Sequence, residues 1–115
     1  MIKRGRLHEL EVQGITHLLL QALLYLKTQH KVLYRDLRPE NILFTDENPL
    51  ELKLCDFGNA RRLGAFDELR HSKHGPERLM SPEMLSLGAG VSFEHDVWQL
   101  GVLTYTLLLG MPPFR

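Results

Sequence analysis

One cysteine, Cys55, stands among 115 residues. An internal disulfide needs two, so no covalent staple and no Cys-rich zinc site is available. Net charge is also missing: 14 Lys and Arg face 14 Asp and Glu. The chain therefore presents no single-signed field to gather nucleic acid or an anionic membrane surface. Long hydrophobic runs are absent too. The stretch from Leu18 to Leu26 is interrupted by Gln21, and Val97 to Met111 carries Gln99, Thr104, Tyr105 and Thr106. Both fall short of the roughly 20 apolar residues that span a bilayer. The basic opening Met1-Ile2-Lys3-Arg4-Gly5-Arg6 is not followed by an apolar signal core. A cytoplasmic location is expected, with neither membrane nor nucleic acid as partner. No internal repeat or low-complexity segment is present.

What remains is an ordinary globular composition, with enough apolar residues for a modest core. Val12, Ile15, Leu19, Ala22 and Leu26 recur at three- and four-residue steps, which predicts a helix from about Glu11 to Gln29, widened by Leu18 and Leu23. Val32-Leu33-Tyr34 has the character of a short strand. Ile42-Leu43-Phe44 and Leu52-Lys53-Leu54-Cys55 flank the turn signal Asp46-Glu47-Asn48-Pro49, so they predict a hairpin. Residues 58–82, rich in Gly, Pro and charge, predict a long irregular loop of the kind that carries function. Ser81 as N-cap and Pro82 at the first helical position open a short helix to about Leu87. Phe93 to Leu109 forms the last helix, stopped by Gly110-Met111-Pro112-Pro113. The expected fold class is mainly α with short β-hairpins, an α+β arrangement. A basic segment at 1–11 precedes the domain at 12–115.

The chemistry concentrates in Tyr34-Arg35-Asp36-Leu37-Arg38-Pro39-Glu40-Asn41 and in Asp56-Phe57-Gly58. Asp36 and Asn41 are five residues apart on one loop, and the predicted hairpin returns Asp56 beside them. An isolated Asp-x-x-x-x-Asn is usually a solvated turn. Coupled to a second acid at this spacing, it becomes a set of hard oxygen donors. Such donors suit Mg²⁺, which binds through a few protein ligands plus substrate phosphates. His71 and His74 invite a metal reading as well, but no Cys or carboxylate spacing supports it.

These two motifs resemble the catalytic loop and the metal-binding segment of eukaryotic protein kinases. Ser81-Pro82-Glu83 is similar to the family's Ala-Pro-Glu, and Asp96-Val97-Trp98-Gln99-Leu100-Gly101-Val102 to its Asp-Val-Trp-Ser-Leu-Gly-Val. The resemblance runs over about residues 12–114. Cys-Asp-Phe-Gly-Asn-Ala, Ser-Pro-Glu and Gly-Val-Leu-Thr-Tyr are most similar to the obscurin, titin-like and Trio/kalirin kinases. The resemblance implies a serine/threonine kinase that uses ATP and Mg²⁺ on a protein substrate. Asp36 is then the catalytic base, Arg38 faces the transferring phosphate, Asn41 and Asp56 hold the metal, and Leu43 forms part of the floor under adenine. Arg35 is placed to meet a phosphate on the activation loop, and Ser72 is the candidate acceptor, with a plain solvated serine as its alternative. Asp96 is expected to hydrogen-bond the catalytic-loop backbone from below, or to act simply as a helix N-terminal acid. Trp98 and Cys55 are expected to be core residues.

The pattern also departs from the family. Tyr34 stands where histidine is usual, Arg38 where lysine is usual, and Pro76 where a hydroxyl residue is usual. The 115 residues hold no Gly-rich loop, no Val-Ala-Ile-Lys and no helix supplying the glutamate that pairs with that lysine. The helices that follow the central one, and with them the arginine partner of Glu83, are expected to be missing as well. The resemblance therefore implies a kinase-like C-lobe truncated at both ends, with the N-lobe supplied by a longer parent chain and no turnover from these residues alone. A non-catalytic, pseudokinase-like binding module is the alternative. The helix from Phe93 is expected to leave apolar faces uncovered.

Overall fold

A computed structural model describes residues 7–44, 51–62, 80–82 and 92–114. Helix α1 runs Glu9–His30, followed by β1 (Val32–Leu33), β2 (Ile42–Phe44), β3 (Leu52–Leu54), β4 (Arg61–Arg62) and helix α2 (Phe93–Leu109). Short 3₁₀ turns at Pro39–Asn41 and Phe57–Asn59 lie between strands. This is the mixed, mainly helical class that the sequence predicts. The turn at 46–49, His71, Ser72, His74, Pro76, Glu83 and the rest of the helix expected after Pro82 lie outside the described residues.

Helix α1 starts two residues before the apolar stripe predicts. Its extra length is held at the entry, where the His8 N–H donates to Glu11 Oε1 at 3.2 Å and the Leu7 N–H to the Leu107 carbonyl at 2.9 Å. It ends at Lys31, whose left-handed backbone (φ 55°) turns its N–H back onto the Leu26 and Lys27 carbonyls. Val12, Ile15, Leu19 and Leu23 are buried along one face, as the periodicity requires. Each fully buried leucine contributes on the order of 2 kcal/mol.

That face packs on α2. Leu100, Leu103 and Leu107 meet α1 in one core that also takes in Tyr34, Leu37 and Ile42. Thr16 and Thr104 hydroxyls hydrogen-bond across the helices at 3.0 Å, and Lys27 Nζ lies 4.5 Å from the centre of the Phe93 ring. The opposite face of α2 is open. Val97, Trp98, Gly101, Tyr105 and Phe114 line an apolar groove of about 830 Å³. Trp98 is thus not the core residue the sequence implies: it stacks on Phe114 at 5.9 Å and 5°.

The strands form two antiparallel pairs. β2 and β3 make the predicted hairpin, in register Ile42↔Leu54, Leu43↔Lys53 and Phe44↔Leu52. β1 pairs with β4, Val32↔Arg62 and Leu33↔Arg61, a pairing the sequence does not announce. Both are too short to be stable alone. They persist because Leu33 and Ile42 are fully buried against the helices.

Candidate active site

The segment from Tyr34 to Asn41 begins with a buried anchor. Asp96 is the fourth residue of α2 and is 1% exposed. Its Oδ2 accepts the Tyr34 N–H at 3.0 Å and its Oδ1 accepts the Arg35 N–H at 2.8 Å. One helical turn on, Gln99 Oε1 accepts the Leu37 N–H at 3.1 Å, while its Nε2 donates to the Arg35 carbonyl at 3.1 Å. Two side chains from α2 therefore satisfy the backbone of residues 34–37 where no strand partner exists. Burial pushes the Asp96 carboxyl up to about 6, against the opposing pull of those N–H groups and of the Arg35 charge. Arg35 itself sits at φ 72°, a left-handed conformation costly for a side chain of this size and common at functional sites. Burial, then the neighbouring Arg61, lowers the Arg35 guanidinium from its ordinary value, while Asp96 opposes them.

Asp36 follows, 5% exposed, and among the described residues its side-chain bonds run to its own loop or across to the next segment. Arg38 Nε donates to its Oδ1 at 2.9 Å. Asn41 Nδ2 donates to its Oδ2 at 2.9 Å and to its carbonyl at 2.7 Å. The 3₁₀ turn Pro39–Asn41 makes this possible by folding five residues back on themselves.

The hairpin then delivers Asp56. The Cys55 N–H donates to the Asn41 carbonyl at 2.9 Å, and the Tyr34 hydroxyl donates to the Cys55 carbonyl. The Tyr34 ring meets Phe57 edge-on at 5.1 Å and 71°. Burial, then the electrostatic influence of Asp36 and other acidic neighbours, pushes the Tyr34 phenol upward, so it stays protonated and keeps donating. Asp56 is exposed, adopts φ 59°, and caps the next turn by accepting the Gly58 N–H at 3.2 Å. Asn59, three residues on, reaches across to Asp36 Oδ2 at 2.9 Å.

The proposed metal ligands pass a test of chemistry. Asn41 spends its amide nitrogen on Asp36, which leaves its carbonyl oxygen as the atom to offer a cation. The second oxygen of Asp56 has no hydrogen bond among the described residues. Two such hard oxygens, completed by phosphate oxygens, fit Mg²⁺. Among the described residues no cluster of three or more His, Cys, Asp or Glu could enclose a metal unaided. Leu43 lies on the outer side of β2 at 50% exposure, an apolar surface open to a planar ring. Cys55 is half-buried, and its backbone rather than its thiol does the positioning.

Gln99 and Asn59 carry contacts that the sequence did not reveal. Gln99 could have been found: three residues after Asp96, it falls on the same buried helix face, where a polar side chain needs partners. Asn59 offered no such signal. The buried Ser81 hydroxyl bonds His95 Nδ1 at 3.1 Å, while the N–H groups it is expected to cap lie outside the described residues.

Comparison with known proteins gives the family. The chain matches the protein kinase domain family over residues 1–115. It belongs to that family. It is 44% identical over 113 residues to the probable serine/threonine-protein kinase CCRP1 of Zea mays, covering 98% of this chain and 18% of that protein. It is 40% identical over 112 residues to myosin light chain kinase 3 of Homo sapiens, covering 97% of this chain and 13% of that one. Among solved structures, the PK-1 kinase of Cydia pomonella granulovirus superposes with a TM-score of 0.82 at 27% identity, over 96% of this chain and 39% of that one. The chain thus spans less than a fifth of the length of either curated relative. No helix among the described residues is long and apolar enough to cross a membrane.

Proposed function

We propose that the chain carries the catalytic segment of a serine/threonine protein kinase that moves the γ-phosphoryl group of ATP to a protein hydroxyl. The observation that carries this is the convergence of Asp36, Asn41 and the Asp56 turn, joined by the Asn41–Asp36 and Asn59–Asp36 bonds. Asp36 orients the acceptor hydroxyl and takes its proton as the oxygen bonds the γ-phosphorus. The bond from that phosphorus to the bridging oxygen breaks, and ADP leaves with the electron pair. Arg38 faces the transferring group, and Leu43 lies under adenine. Asn41 and Asp56 would hold Mg²⁺, which when bound offsets phosphate charge. The serine/threonine class is supported by the relatives' names, and a titin-like subgroup, loosely, by the myosin light chain kinase relatives. A cytoplasmic site of action fits the absence of a spanning helix among the described residues.

The test is phosphate transfer to a generic protein substrate by the full-length enzyme. Asp36→Asn is expected to lower kcat by about 10²–10⁴-fold, the range for losing a general base. An unchanged rate would refute the assignment. Because the 115 residues contain neither a Gly-rich loop nor its partner lysine, we expect no turnover from them in isolation. A purified 115-residue chain that phosphorylates the substrate, and stops with Asp36→Asn, would overturn that part. One observation favours a second reading, a nucleotide-binding module without transfer: Arg38 is ion-paired to Asp36 itself. Binding of Mg-ATP by the full-length protein without turnover would select it.

A further inference from the structure

We propose that Asn59 is a positioning residue for Asp36: it completes the hydrogen-bonding of Oδ2, so that the acceptor hydroxyl is received at Oδ1. The inference rests on Asp36 being the base. A carboxylate offers about four lone-pair directions, two on each oxygen. Oδ2 accepts two amides, Asn41 Nδ2 and Asn59 Nδ2, both at 2.9 Å. Oδ1 accepts Arg38 Nε at 2.9 Å and keeps one direction open. Oδ1 is the oxygen next to the Arg38 guanidinium, which the proposed function places against the transferring phosphate, so the attacking oxygen is received there. Asn41 alone would leave Oδ2 half free, and the carboxylate could turn to offer either oxygen.

Asn59 also lies on the segment that carries Asp56. It ends the 3₁₀ turn that Asp56 caps. Its reach to a residue 23 positions earlier makes the orientation of the base depend on the placement of the metal-binding turn. Asn59 touches no reacting atom, so its effect is expected in the rate of the chemical step rather than in nucleotide affinity.

The experiment measures kcat and KM for Mg-ATP in the full-length enzyme carrying Asn59→Leu, Asn59→Asp or Asp36→Asn. Losing one hydrogen bond to a charged group predicts a kcat about tenfold lower for Asn59→Leu, with KM changed less than about twofold. Asn59→Asp sets a second carboxylate against Asp36. Its kcat is expected to fall further than that of Asn59→Leu, again with KM for Mg-ATP changed less than about twofold. This second variant decides the matter should Asn59→Leu lower the melting temperature. Wild-type kcat in both Asn59 variants, or a loss confined to KM, overturns the proposal while Asp36→Asn still lowers kcat by about 10²–10⁴-fold. A wild type without turnover, or Asp36→Asn with a wild-type kcat, sinks the base assignment and this inference with it.

Discussion

Residues 34–37 hang from α2 through the buried side chains of Asp96 and Gln99, which hold backbone groups rather than side chains. Residues 56–59 are attached differently. Asp56, Phe57 and Gly58 are exposed, and the turn is tied down by the Tyr34 hydroxyl, the edge-on Tyr34–Phe57 contact and the Asn59 amide. The segment of the proposed base is therefore fixed by the core, whereas the segment of the proposed metal ligand Asp56 is fixed by the first segment. A group that must present one oxygen to an incoming hydroxyl gains from preorganisation. A group that meets a cation and phosphates completes its coordination when they arrive.

The sharpest way to break this contrast is to cut the anchor. Asp96→Ala leaves the Tyr34 and Arg35 N–H groups buried without acceptors, and should cost on the order of 3 kcal/mol of stability, read from the urea midpoint. A loss below about 1 kcal/mol would show that α2 does not hold the loop.

The same residue gives a pH signature. Its carboxyl rises from 3.8 to about 6 on folding, because burial outweighs its N–H donors. The folded chain then keeps a proton that the unfolded chain releases. That contribution is whole below about pH 3.8 and is lost as pH rises through about 6. The unfolding free energy of the wild type minus that of Asp96→Asn, which cannot titrate, should fall between about pH 4 and about pH 7. A rise over that interval would mean the donors outweigh burial.

Two smaller effects separate the segments. Tyr34→Phe keeps the ring against Phe57 and removes only the bond to the Cys55 carbonyl, so about 1 kcal/mol of stability should go. Calorimetric melting checks this, and no loss would mean that the hydroxyl does not tie the two segments together. Asp56→Asn keeps a residue that tolerates the left-handed backbone. Stability should change by under about 0.5 kcal/mol, while the rise in melting temperature given by Mg-ATP disappears. A variant that keeps that rise would remove Asp56 from the metal site.

How much of this was legible follows from the physics of each element. The α1 stripe and the span of α2 could be read because burial imposes a 3.6-residue period and because Gly110 and the prolines after it stop a helix. The β2–β3 hairpin could be read from its turn residues. The β1–β4 pair could not, since each strand is two residues long and their pairing depends on the intervening chain. The candidate site was found through residue types at a fixed spacing. Its supports were harder to see: Gln99 and Asn59 act through contacts 62 and 23 residues away in sequence, respectively, and nothing local marks such partners. The Trp98 expectation failed because an apolar helix position does not say which face the core takes.

The most direct test places a paramagnetic ion where Mg²⁺ is proposed. Mn²⁺ is added with ATP to the isotope-labelled protein, and amide signals are followed by NMR. Signals of Asp36, Asn41, Asp56 and Asn59 should broaden together at the lowest Mn²⁺ ratio, and Asp56→Asn should abolish the effect. Broadening that reaches only one of the two segments, or that centres elsewhere on the chain, would contradict the account.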